Sequence, residues 1–218
     1  MIHTFAASFA RMVDELRSDP SIVVAVAEIL PPDAAPLADV EVLVGYPLAG
    51  EVAEFYRLYG GVKLVWTPKE SDDDGVWDAE KVASVQGELA AGRPWLFKSG
   101  DLTGAPAGCI WIPSCKQVFG SGEEWESLLG DQEDVFANYR ESIGEAFTDK
   151  EQLLPFDYSS MFYDVAFLMT GSGDPKLIRG EDNGASFEDS RVVSLSDYLE
   201  LLIASKGVVE TRMAAMAG

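Results

Sequence analysis

The 218-residue sequence is short of histidine and cysteine: it has one His, His3, and two Cys, Cys109 and Cys115. Scarcity of histidine removes the commonest general base and most zinc chemistry. A Ser-His-Asp or Cys-His arrangement would have to use His3, on an N-terminal segment expected to fray, where catalytic geometry is hard to hold. Two cysteines joined at most by His3 are too few for a structural zinc site. A disulfide between them is sterically feasible but not implied, and reduced thiols are expected in a chain without an export signal. Basic residues are scarce too: 16 Lys and Arg stand against 37 Asp and Glu, a net charge of −21. Such a surface repels phosphate backbones and anionic membranes, and it attracts and steers a basic partner. The plain alternative is acidity that serves solubility alone or reflects a salt-adapted host. Apolar runs fall short of the roughly 18 residues that span a membrane. The start, Met1-Ile2-His3-Thr4-Phe5, has no basic n-region, and Arg11, Asp14 and Glu15 interrupt the apolar pattern after it. No signal peptide is read there, and a cytoplasmic protein is expected.

What is present suits a globular domain: 47% hydrophobic and 24% charged residues, with enough length for a sizeable core. Phe5, Phe9, Met12, Val13 and Leu16 recur at helical intervals, and Asp19-Pro20 stops that helix. Ile22 to Val26 is β-branched and predicts a strand. The run Pro31-Pro32-Asp33-Ala34-Ala35-Pro36 then breaks the pattern. Residues 1–37 are read as an N-terminal extension, 38–207 as the main domain and 208–218 as a tail expected to fray. Val40 to Gly45 is either a short strand or the end of a helical turn. Val52, Phe55, Tyr56 and Tyr59 follow i, i+3, i+4, i+7, so one helix face is aromatic. Gly60-Gly61 is expected to end it in the left-handed conformation, and Val62 to Trp66 returns as a strand. Asp78 is placed to cap a helix reaching about Ala91. Strands are expected at 95–97, Cys109 to Pro113, Asp164 to Met169, Lys176 to Ile178 and Val192-Val193. Residues 123–129 read as a short helix or a loop, and helices are expected at 131–147 and from Ser194 or Ser196 to Gly207. Strands clustered without regular βαβ alternation favour an α+β fold.

Candidate chemistry is sparse. Paired carboxylates such as Glu123 and Glu124, Glu133 and Asp134, or Asp157 and Asp164 could in principle run glycoside hydrolysis. With 37 acids chance pairs are expected, and solvated side chains are the commoner outcome. Asp72-Asp73-Asp74-Gly75 lacks the alternating ligands and terminal Glu of a calcium loop. Gly171-Ser172-Gly173 and Gly60-Gly61 lack the Lys-Ser or Lys-Thr of a phosphate loop. No catalytic residue, metal site or cofactor is expected. Stretches 70–80, 123–134 and 181–189 hold sixteen of the 37 acids and no Lys or Arg. From them Asp72, Asp73, Asp74, Glu123, Glu124, Glu126, Glu181 and Asp182 are the candidate partner-binding residues. Convergence on one face would make a docking site, and dispersal would make them solubilising only. The aromatics Phe55, Tyr56, Tyr59 and Trp66 read as core before interface anchors.

Three segments carry a family resemblance. They are Val42-Leu43-Val44-Gly45-Tyr46-Pro47-Leu48 with the helix to Tyr59 and Gly60-Gly61; the strand ending at Trp66; and Leu154-Pro155-Phe156-Asp157 with the Asp164–Met169 strand and Ser196-Asp197-Tyr198-Leu199. Together, across about residues 40–206, they resemble the SUKH superfamily, which includes immunity proteins of bacterial polymorphic toxin systems and fungal regulators of cell-wall synthesis. The resemblance implies a mostly antiparallel sheet of about six strands with helices packed mainly on one side. It also implies a non-catalytic protein that binds and neutralises a toxin effector, often a nuclease. A nuclease presents a basic site, which an acidic inhibitor would fit. A carboxylate-dependent hydrolase, or a housekeeping scaffold protein sharing the fold, are the alternatives.

Overall fold

A computed structural model describes residues 1–32, 37–44, 47–71, 75–76, 78–90, 107–120, 153–157, 165–169, 175–180 and 191–216. After a short 3-10 turn, Ile2–Thr4, helix α1 spans Phe5–Ser18 and strand β1 Ile22–Leu30. Asp19 makes the turn between them by accepting from the amide and hydroxyl of Ser21 at 2.9 and 2.6 Å. Helices α2 (Leu37–Val44) and α3 (Gly50–Leu58) lead to β2 (Gly61–Pro68). Glu70–Ser71 (β3) and Gly75–Val76 (β4) form a two-stranded ladder. Then come α4 (Ala79–Ala90), β5 (Gly108–Ile112), α5 (Cys115–Gly120), β6 (Leu153–Asp157), β7 (Val165–Met169) and β8 (Lys176–Gly180). Helices α6 (Leu195–Ala204) and α7 (Val209–Met216) close the described chain. Among the described residues no helix is long and apolar enough to cross a membrane.

The architecture is α+β with antiparallel pairing throughout the described strands. It is not the expected single sheet of about six strands: no described sheet exceeds three, ordered β1-β2-β5 and β6-β7-β8. The reason lies where β5 meets β6. Pro155 has no N–H to donate, and the β6 register shifts between Pro155 and Asp157. Across the gap the Asp157 side chain, rather than a backbone carbonyl, takes the Trp111 N–H at 2.9 Å.

The pleat gives the β1-β2-β5 sheet two unlike faces. Ala27, Ile29, Val62, Leu64, Trp66, Ile110 and Ile112 point to one side and join the main core with α1, α3 and α6. The aromatic stripe of α3 is core, as its spacing implies. Phe55 is fully buried and meets the rings of Phe5, Tyr56, Tyr59 and Phe156 with centroids 5.2–6.3 Å apart. The apolar stripe of α1 is buried in the same core, so α1 and β1 contribute to it directly. On the other face Glu28, Lys63 and Trp111 lie in one row across three strands, with the Lys63 ammonium 4.8 Å from the Trp111 ring centre. Helix α4 sits on this side, and Gln86 Nε2 donates to the Ala25 carbonyl at 2.8 Å.

One open local reading is settled and several expectations are corrected. The ambiguous Val40 segment is helical. The glycine pair is not a left-handed helix cap: α3 ends at Leu58, and Tyr59 is extended. Gly60 is needed because a Cβ would strike the Pro31 carbonyl. Gly61 has φ 141°, and a Cβ there would lie 2.5 Å from the Ile112 oxygen. The expected frayed tail forms α7 instead, with Arg212 and Met216 fully buried. The N-terminus is also tied down: Ile2 is buried, and its carbonyl accepts from the Tyr59 hydroxyl at 2.9 Å. The expected elements at 95–97, 123–129 and 131–147 lie outside the described residues.

Candidate functional site

The most concentrated polar chemistry in the described chain gathers on the outer edge of β5. Antiparallel strands alternate inward- and outward-facing peptide groups. Cys109 and Trp111 face outward, away from β2. The Cys109 N–H donates to the Gly207 carbonyl at 2.8 Å. The Cys109 carbonyl accepts from both terminal nitrogens of Arg212, each at 3.3 Å. The Trp111 N–H donates to Asp157 Oδ1, and Asp157 Oδ2 accepts from the Tyr198 hydroxyl at 2.6 Å. Arg212 Nη2 stands 3.6 Å from Asp157 Oδ2, and both side chains are 0% exposed.

Each element delivers its residue for a local reason. Ser194 caps α6 by accepting from the Asp197 N–H at 3.0 Å, which sets the helix phase and turns Tyr198 inward. Lys206 (φ 53°) and Gly207 (φ 78°) reverse the chain after α6 and send α7 back toward β5. The reversal is held by the Trp66 indole, which donates to the Lys206 carbonyl at 2.6 Å. Gly108 lies opposite Trp66, and any side chain on it would strike the indole.

Burying two opposite charges costs several kcal/mol of desolvation per ion unless each is paired and hydrogen-bonded. Here Asp157 and Arg212 compensate one another, and two strands (β5, β6) and two helices (α6, α7) converge on them. Arg212 Nε finds no acceptor among the described residues. Burial, with the Asp157 carboxylate nearby, pushes the Cys109 thiol up to about 12, against a partial offset from Arg212. A thiol held so far above neutrality is a poor nucleophile. With both Asp157 oxygens bonded to protein groups and the whole constellation sealed from solvent, its chemistry is that of a structural tie.

The eight acids proposed from the sequence as partner-binding residues all lie outside the described residues: Asp72, Asp73, Asp74, Glu123, Glu124, Glu126, Glu181 and Asp182. His3 is described. Its Nε2 lies 2.6 Å from Glu54 Oε1 on the surface, with side chains 73% and 41% exposed. Among the described residues no three His, Cys, Asp or Glu side chains converge in a way that could hold a metal. Cys109 and Cys115 are buried and do not form a disulfide.

The sequence singled out Asp157 only as one of many acids that could pair by chance, and it passed over Arg212. A recoverable signal existed. Val208, Arg212 and Met216 repeat at four-residue intervals, so an arginine lies on an otherwise apolar stripe of a short helix.

Two furrows flank the opposite edge of the sheet, at β1. One, of about 280 Å³, runs between α1 and β1 and is lined by Phe9, Ala10, Val13, Arg17, Ala27 and Ile29 among others. The other, of about 460 Å³, lies on the α4 side and is lined by Arg17, Val26, Glu28, Lys63 and Gln86 among others. Arg17 and Ala27 border both.

Comparison with known proteins gave no match: no family model fits the chain, and no curated protein or solved structure is similar to it.

Proposed function

We propose that this chain is a non-catalytic protein-binding domain, an immunity-type protein of the SUKH kind that binds and neutralises a basic toxin effector. The observation that carries the reading is the charge: −21 overall, with sixteen acids gathered in three short stretches that contain no base. The buried carboxylate does not compete with that account. Asp157, the only fully buried acid among the described residues, is engaged in holding strands and helices together. The aromatic residues of α3 likewise fill the core instead of lining a cleft. A protein of net charge −21 whose buried carboxylate, among the described residues, is committed to architecture is suited to steering a cationic partner onto its surface.

The test is kinetic. The partner is recovered by affinity purification from the source cells, and its association with the purified chain is followed by stopped flow. Raising salt from about 0.05 M to about 0.5 M should slow association at least about tenfold. Replacing Asp72, Asp73 and Asp74 by Asn should remove part of that dependence. A rate constant indifferent to salt would refute electrostatic docking.

A further inference from the structure

The β1 edge supplies what an added strand requires. Val26 and Glu28 pair with Val65 and Lys63 of β2, and the alternation of antiparallel bonding leaves Ala27 and Ile29 with their peptide groups pointing outward. Neither finds a backbone partner among the described residues. One edge acceptor, the carbonyl at the Ala25 bulge, is already taken by a side chain, that of Gln86, in the way a neighbouring strand's amide would take it. The furrows on the two sides of this edge match the two directions in which a strand sends its side chains. The α1 furrow is lined mainly by apolar side chains, with Ala6 and Ala10 on its wall and buried Phe9 and Val13 at its floor, and Asp14 and Arg17 are its charged members. Its wall from Ala6 to Arg17 is roughly 16 Å long at the helical rise, about five residues of extended chain. Where the two furrows join stands Arg17, an exposed side chain with no ion pair among the described residues. Lys63 is already over the Trp111 ring and faces Glu28 across the strands.

We infer that β1 is a docking edge that takes an extended segment of a partner polypeptide as a fourth strand. Small apolar side chains of the segment enter the α1 furrow, and an alternating carboxylate reaches Arg17. A second copy of this chain is the rival occupant, and the test below separates it from a partner polypeptide. The inference deepens the reading of the chain as a binding protein, but it does not depend on the acidic stretches.

The test uses the full chain and three blocked heptapeptides: alternating Val and Glu, alternating Val and Lys, and the Val-Glu peptide with alternate backbone amides methylated. Binding is titrated by amide NMR. The Val-Glu peptide should bind saturably, with its largest shifts at Ala27 and Ile29. The methylated peptide, the Lys peptide, Arg17→Glu and Ala10→Trp should each weaken binding at those amides at least about tenfold, the loss of one charge-assisted or edge contact. Ala10 is exposed, so its tryptophan variant should keep the wild-type melting temperature; if it does not, Arg17→Glu and the methylated peptide decide the matter. Absence of saturable binding, or binding unaffected by methylation and by Arg17→Glu, overturns the inference. So does a concentration-dependent dimer abolished by Ala10→Trp, which would give the edge to a second copy. Salt-dependent capture of a basic partner together with no saturable binding of the Val-Glu peptide would remove the strand edge and leave the acidic surface standing.

Discussion

The two edges of the β1-β2-β5 sheet are finished in different ways. At β5 the outward groups of Cys109 and Trp111 are met by the Gly207 carbonyl, the Arg212 guanidinium and the Asp157 carboxylate, and the latter two are fully buried. At β1 the outward groups of Ala27 and Ile29 have no such partners among the described residues, and one glutamine side chain occupies a single carbonyl. Proteins blunt sheet edges because unpaired strands invite other chains. This chain spends a buried ion pair and its last two helices on one edge and leaves the other with a furrow on each side. Closure by side chains also explains why β5 and β6 form no ladder among the described residues: the carboxylate on β6 stands where one would have continued.

The strongest way to break the comparison is to unmake the closed edge. Asp157→Ala leaves a buried guanidinium without a counter-ion, so chemical denaturation should show a loss of about 3–5 kcal/mol. A cost below about 1 kcal/mol would mean that β5 is closed by something else. Tyr198→Phe removes one hydrogen bond to the carboxylate and should cost about 2 kcal/mol by the same measurement. Ser194→Ala uncaps α6, which carries Tyr198, and should cost about 1 kcal/mol. The open edge should tolerate what the closed one cannot. Ala27→Pro deletes an outward N–H and no ladder bond, so its cost should stay below about 1 kcal/mol. Sealing at β5 has a chemical signature as well. The raised Cys109 thiol should resist alkylation at neutral pH until the chain unfolds. Its contribution to stability, full below the ordinary thiol value of 9.0, should be lost as pH rises toward about 12. Alkaline unfolding of Cys109→Ala should be correspondingly less steep above pH 9.0.

Much of the fold is written locally. Helical spacing at Phe5–Leu16 and Val52–Tyr59, the β-branched run at 22–26 and Asp78, whose carboxylate accepts from the Glu80 and Lys81 amides, each produced the element expected. A further local signal was passed over: Ser114 and Gln117 form a reciprocal capping box at the start of α5, a Ser-x-x-Gln pattern visible in the sequence. What could not be read is what depends on distant partners. Asp157 and Arg212 lie 55 positions apart in the chain, and nothing near either predicts that they meet. Among 37 acids, Asp157 carries no local mark of its burial. The glycine pair shows the same limit in miniature. Its position was clear, but the need for it came from the Pro31 and Ile112 carbonyls, set by tertiary packing rather than by the helix it follows. Nor could the pattern show that β1 would end a sheet, because edge position belongs to topology and not to the strand's own residues.

Hydrogen exchange of individual backbone amides under native conditions tests the difference between the edges most directly. The Cys109 and Trp111 amides should exchange only as the whole molecule unfolds, while those of Ala27 and Ile29 should exchange orders of magnitude faster. Equal protection at Ala27 and Trp111 would contradict the account, because it would mean that β1 is closed as well.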